Sequence, residues 1–398
     1  MRKFSISYWL DNVSKKDFSQ DMKLLNTEIM SELLYAEKRS VLLDRIISNI
    51  KKIAERHEIE YMEIPLGSSG LFIPVLYREK SDPNSTFLLL LGAQHNEYNG
   101  TFGILEFLNS KMNKSLFEWQ KSCSGGFLII PVLNIRGFLH PIFENKWGYY
   151  VTGINNLQQT NCNRFWDKTL EQDIFQKYES SIPEESRVVG DFLLRLRQDP
   201  RTPLTVLDFH ETSLPYRIRK EMTQTLNLNY LSDLNWIKEV TLESAFKYKG
   251  ISYLNKKRSE DIKWIKEAVT EMSEHIQEKA IYFLFYSPYS KDLANFLDSH
   301  LQKEFASVLW YSSRYIVDHS QKIEGCFVSA NMSRPWMCAI EIESHKLFFN
   351  LPEEQKKYEE NLQYGKYLLN QLRLNSNIAA NVIYFTLKYL SSRNNKEK

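Results

Sequence analysis

Gln94-His95-Asn96-Glu97 sets an amide, an imidazole and a carboxylate within four residues, just behind the apolar run Phe87 to Leu91. Past Gly100 the pattern turns helical, with Phe102, Leu105, Phe107 and Leu108 as its apolar contacts. The polar cluster therefore falls where a strand hands over to a helix, at the carboxyl edge of a parallel sheet. Open α/β sheets bind their ligands at that edge. An imidazole and a carboxylate two residues apart there can hold a divalent metal, and zinc suits that donor set. Three more polar islands interrupt strand-like apolar stretches. They are Asn161-Cys162-Asn163-Arg164-Phe165, Val206-Leu207-Asp208-Phe209-His210-Glu211-Thr212 and Ala339-Ile340-Glu341-Ile342-Glu343-Ser344-His345.

Taken in order with Gly92 to Gly100 and Pro131-Val132-Leu133-Asn134-Ile135-Arg136-Gly137, these islands resemble the signature of the zinc carboxypeptidase superfamily, including its aspartoacylase and succinylglutamate desuccinylase branch. That signature runs Gly-x-His-x-x-Glu-x-x-Gly, Pro-x-x-Asn-Pro-x-Gly, Asp-Leu-Asn-Arg, Asp-x-His, and a strand ending in the catalytic Glu. The resemblance spans roughly residues 60–372, and five motifs in one order are far more specific than any single one. The chain departs from the pattern at several places. Aligned without a gap, Glu97 and Gly100 match and Gln94 takes the histidine position; with one residue deleted, His95, Asn96, Glu97 and Gly100 all match. Zinc prefers a nitrogen donor to a neutral amide oxygen, which favours His95; ligand spacing favours Gln94, and both stand. Asn161 and Cys162 replace Asp-Leu before Asn163-Arg164, and Glu341 occupies a position where the family has Thr.

The resemblance implies an amide hydrolase with zinc held by Glu97, His210 and either His95 or Gln94. Three protein ligands leave one coordination position open and lower the pKa of a bound water towards ~7. Asp208 precedes His210 by two residues on the same strand face, so it can orient the imidazole. Glu343 is the expected general base. The Ile340-Glu341-Ile342-Glu343 alternation puts both carboxylates on one face, where one should keep a raised pKa, and Glu341 is the second candidate. Asn163 and Arg164 resemble the pair that grips a substrate's free carboxylate, for which the planar guanidinium fork is suited. The family's oxyanion-stabilising arginine has no counterpart. Between Arg136 and Arg164 the only basic side chains are His140 and Lys146, and Lys146 is the candidate for that place. The leading expectation is a zinc-dependent hydrolase acting next to a free carboxylate, on a peptide C-terminus or on an N-acyl amino acid. The alternative is a catalytically inactive relative that binds a carboxylate ligand or a protein partner.

The elements that must position these groups follow a βαβ rhythm. Strands are expected over Glu58 to Pro65, Leu71 to Arg78, Phe87 to Leu91, Phe127 to Leu133 and Thr205 to Phe209, with a helix over Arg187 to Arg197. The expected fold is α/β: a mixed, mostly parallel twisted sheet between helices, of the zinc-carboxypeptidase, phosphorylase/hydrolase-like type, with helical additions. Residues 1–57 read as an N-terminal helical segment, 58–372 as the catalytic domain with an insertion over 215–325, and 373–398 as a C-terminal helix and tail. His275, His300 and His319 in the insertion read as surface or cap residues. At 398 residues with 43% hydrophobic and 13% aromatic content, the chain can bury a full core. A net charge of +2, from 51 basic and 49 acidic residues, gives no field for nucleic acid or an anionic membrane. Asp11 cuts short the apolar start, so no signal peptide is expected, and no run approaches the ~20 apolar residues of a membrane span. A cytoplasmic location follows. Cys123, Cys162, Cys326 and Cys338 have no Cys-x-x-Cys spacing, so no disulfide framework is expected, and two of them lie next to apolar strand residues, where a cysteine reads as a small buried hydrophobe.

Overall fold

Eight runs rich in branched and aromatic side chains pair into one sheet, in the computed structural model of the chain. The structure describes residues 31–67, 69–93, 97–139, 162–197, 199, 202–212, 280–305, 309–316, 325–345, 351–360 and 362–394. In chain order the elements are α1 (Arg39–His57), β1 (Glu60–Leu66), β2 (Leu71–Arg78), β3 (Phe87–Ala93), α2 (Asn99–Asn109), α3 (Lys114–Cys123), β4 (Gly126–Val132) and α4 (Ile135–Leu139). Then come α5 (Gln172–Tyr178), α6 (Glu184–Arg197), β5 (Leu204–Thr212), β6 (Ala280–Tyr286), α7 (Lys291–Glu304), β7 (Leu309–Ile316), α8 (Phe327–Asn331), β8 (Met337–His345), α9 (Leu351–Glu360) and α10 (Leu362–Asn394).

The sheet order is β1-β2-β4-β3-β5-β8-β6-β7. Strands β4, β3, β5 and β8 run parallel to their neighbours in that group, as do β6 and β7, while β1–β2, β2–β4 and β6–β8 are antiparallel. The fold is therefore α/β with a mixed, mostly parallel sheet. Phe87 to Leu91 are fully buried, as a central parallel strand covered on both faces must be. The pleat sends Asp208, His210, Glu341 and Glu343 to one face, and Phe209, Glu211, Ile342 and Ser344 to the other. On that second face α10 packs against α2, α3 and α7, and the Tyr282 hydroxyl donates to the Asn375 carbonyl at 2.8 Å. The α2 backbone crosses Phe209 so closely that a Cβ on Gly100 would stand 2.4 Å from the Phe209 Cβ. On the first face Phe192 of α6 meets Tyr77 edge-on, with centroids 5.2 Å apart.

Two expected boundaries change. Within 215–325, residues 280–316 supply β6, α7 and β7, so this half is part of the sheet, not an addition to it. Tyr282, Phe283 and Leu284 are buried there, because β6 lies between β8 and β7. The rest of the expected insertion, with the helical candidate Ser259 to Glu278 and with His275, lies outside the described residues. The expected break after residue 372 falls inside α10, a single 33-residue helix whose Leu368, Leu369, Leu372, Ile378, Ile383 and Leu387 are all buried. None of the four cysteines is disulfide-bonded. Among the described residues no helix is long and apolar enough to cross a membrane.

Candidate active site

Parallel pairing brings the carboxyl ends of β3, β5 and β8 to one edge, and the polar islands meet there. In the β5–β8 register Asp208 lies beside Glu341 and His210 beside Glu343. The four side chains form a two-by-two array on one face, with β8 flanked by β5 and β6 and thus internal to the sheet. Glu97 follows β3 by four residues and reaches this array: its Oε2 stands 3.0 Å from His210 Nδ1. The other imidazole nitrogen, Nε2, lies 3.1 Å from Asp208 Oδ2 and 3.0 Å from Asn163 Nδ2. Asp208 is fully buried, and Glu97, His210, Asn163 and Glu341 nearly so.

Burial alone would lower the His210 pKa. The carboxylates of Asp208 and Glu97 outweigh it and hold the imidazole well above its ordinary value. Burial raises Glu341, with Asp208 adding to the effect, against the opposing pull of His210, Arg164 and a hydrogen bond from Asn163. Glu341 is thus held towards its neutral form by burial and by Asp208.

The segment carrying Asn163 and Arg164 is fixed from three sides. Ser186 Oγ of α6 donates to the Cys162 carbonyl at 3.2 Å, Trp166 N donates to the Gly325 carbonyl at 2.7 Å, and the Trp166 ring stacks on Phe327 at 4.6 Å. Gly325 has φ +81°, and a Cβ there would lie 1.8 Å from the Arg164 carbonyl oxygen. Arg164 is half-buried and donates from Nη1 to the Asn163 carbonyl at 3.0 Å. Among the described residues no carboxylate lies within ion-pair distance of its guanidinium. Arg136 is engaged away from the array, with Glu184 at 2.6 Å and Glu185 at 3.2 Å. Gln94, His95 and Lys146 lie outside the described residues.

Two donor atoms on one zinc stand no more than about 4 Å apart, given bonds of about 2 Å. The Glu97–His210 separation meets that limit, and Asp208 backs the imidazole as a carboxylate behind a metal-bound histidine does. Among the described residues no group of three His, Cys, Asp or Glu side chains forms a metal site; the third donor expected from Gln94 or His95 belongs to the stretch outside them. Glu97 and His210 are donor types that zinc accepts, at a spacing that one ion can bridge.

Four further residues hold the array from behind. Glu211, on the opposite face of β5, accepts at Oε1 from the backbone N–H groups of Tyr98 (2.6 Å) and Asn99 (2.7 Å), at the start of α2. Asn99 Nδ2 donates to Ser344 Oγ at 2.8 Å, and Ser344 Oγ donates to the His210 carbonyl at 3.3 Å. The fourth is Arg39, bonded to the Tyr98 hydroxyl. For Glu211 and Ser344 the period-2 alternation was signal enough, since each directly follows a predicted site residue.

No protein-family model and no curated protein matches the chain. It is similar to bovine thrombin-activatable fibrinolysis inhibitor, solved in complex with tick carboxypeptidase inhibitor, at 13% identity and a TM-score of 0.44 over 88% of this chain and 97% of that one. It is similar also to a metallo-carboxypeptidase from Burkholderia cenocepacia, at 10% identity and a TM-score of 0.43 over 86% and 68% of the two chains. A metallo-carboxypeptidase from Pseudomonas aeruginosa, bound to (2-guanidinoethylmercapto)succinic acid, gives 12% identity and a TM-score of 0.43 over 85% and 68%.

Proposed function

We propose that the chain is a zinc-dependent amide hydrolase acting next to a free carboxylate, as a metallocarboxypeptidase or an N-acyl-amino-acid deacylase. The observation that carries this reading is the 3.0 Å approach of Glu97 Oε2 to His210 Nδ1, across a loop and a strand 113 residues apart. Glu97, His210 and one donor from Gln94 or His95 would hold the metal, which when bound supplies a Lewis acid and an acidified water. Asp208 Oδ2, 3.1 Å from His210 Nε2, opposes that edge of the imidazole and would keep Nδ1 turned towards Glu97. Glu343, in register with His210, takes the proton from the attacking water and returns it to the leaving amine. Arg164 receives the substrate carboxylate, its fork committed to only one backbone carbonyl among the described residues. Glu341 sits between the two functions, beside Asn163, Arg164 and His210.

The test is metal content followed by paired substrates. Protein purified without chelator should carry near-stoichiometric zinc. It should hydrolyse peptides with free C-termini, or N-acyl amino acids, and spare their C-terminally amidated counterparts. Zinc-free protein with no zinc uptake overturns the metal reading. Equal turnover of acid and amide substrates overturns the carboxylate reading alone, and which acid series is cut assigns the subtype.

A further inference from the structure

Arg39 is the first residue of α1, 58 positions before Glu97, yet it is 1% exposed and its contacts reach Tyr98, the residue directly after Glu97. Nη1 donates to the Tyr98 hydroxyl at 2.5 Å and to the Phe138 carbonyl at 3.2 Å, and Nη2 donates to the Leu33 carbonyl at 2.5 Å. The guanidinium carbon lies 5.5 Å from the Tyr98 ring centroid. Tyr98 is fully buried and meets Phe138 edge-on at 5.6 Å. The residue directly after Glu97 is therefore held at both ends, by Glu211 through its backbone N–H and by Arg39 through its hydroxyl.

Among the described residues, the hydrogen-bond acceptors of Arg39 are all neutral oxygens, and no carboxylate pairs with it. A buried cation with no carboxylate in contact is a poor source of stability, and an apolar side chain of similar length would serve packing as well. What the planar fork adds is geometry: it fixes Leu33, Tyr98 and Phe138 relative to one another. With Tyr98 fixed, the Glu97 side chain is launched from a defined backbone position, and its Oε2 meets His210.

We propose that Arg39 is a positioning residue for the metal centre, acting through the Tyr98 hydroxyl to aim Glu97, so that the N-terminal helix α1 completes the site. This rests on the reading of Glu97 as a zinc ligand. It is tested on the full chain with Arg39→Met, Arg39→Lys and Tyr98→Phe, and with Ile46→Val as a control elsewhere in the buried face of α1. Zinc affinity is measured by competition with a chromophoric chelator, and folding by thermal melts of the metal-free proteins. Arg39→Met and Tyr98→Phe should weaken zinc binding by about 10-fold or more, the loss typical when a residue supporting a ligand is removed. Arg39→Lys, which keeps one donor for the hydroxyl, should recover part of it. Ile46→Val should lower the melting temperature and leave affinity unchanged. Unchanged affinity in folded Tyr98→Phe, the mildest variant, overturns the proposal, as does equal weakening by Ile46→Val. A wild-type chain that binds no zinc removes the metal reading and this inference together, whereas wild-type binding with indifferent variants removes this inference alone.

Discussion

His210 is the residue on which the site turns. Its two nitrogens face Glu97 and Asp208, at 3.0 and 3.1 Å, and these carboxylates raise the imidazole pKa well above its ordinary value. Zinc takes the neutral ring, so binding must expel the proton of the charged ring. Affinity should therefore rise with pH by about tenfold per unit over the range in which one proton is displaced. Chelator competition between pH 6 and 8 checks this; a flat profile would mean that binding displaces no proton from His210. Glu343→Gln separates binding from chemistry. Zinc content should survive, while turnover falls by at least the ~10²-fold of a lost general base. Turnover within a few-fold of wild type would move the role to Glu341.

At the level of elements, two loops carry the placement of Arg164. One leads from Cys162 to Trp166, and the other begins at Gly325, whose positive φ and contact with the Arg164 carbonyl leave no room for a side chain. Gly325→Ala must shift one backbone or the other. Its expected signature is a raised KM for free-carboxylate substrates with zinc content intact, and a fall in zinc content instead would show that the strain reaches His210. The strands themselves were legible in the sequence. Leu71 to Arg78 is β2 to the residue, and Phe87 to Leu91 is the buried body of β3, because a central parallel strand must be apolar throughout. Less legible was the second half of the region read as an insertion. Its strands Ala280–Tyr286 and Leu309–Ile316 flank a charged amphipathic helix, and no polar motif marks them.

Across the whole molecule, the pairing of Glu97 with His210 could be read from motif order, but Arg39 could not. An arginine at the start of an amphipathic helix looks the same in sequence whether it faces water or a tyrosine 59 residues away. Glu106 has the same character. It lies buried between α2 and α10, where burial pushes its pKa up to about 8 against the pull of Arg373. A carboxyl whose folded pKa exceeds its unfolded one binds its proton more tightly when folded, so the stability it contributes is full below about pH 4.5 and declines up to about pH 8. Glu106→Gln should remove that decline and raise the melting temperature at pH 9 by at least about 2 °C. An unchanged pH dependence would mean that Arg373 fully compensates the charge. The Glu211 carboxylate that takes the Tyr98 and Asn99 amides has a kinetic consequence. First-turn amides of a helix lack intrahelical partners and ordinarily trade their hydrogens with solvent early. These two are bound to a buried acceptor on the central sheet, so deuterium should enter them only when β5 and α2 part company, an opening near the cost of global unfolding. Their exchange rate is then a clock on the integrity of the site, readable with no metal, substrate or turnover; early deuteration of both amides would show that α2 leaves the sheet in the native state.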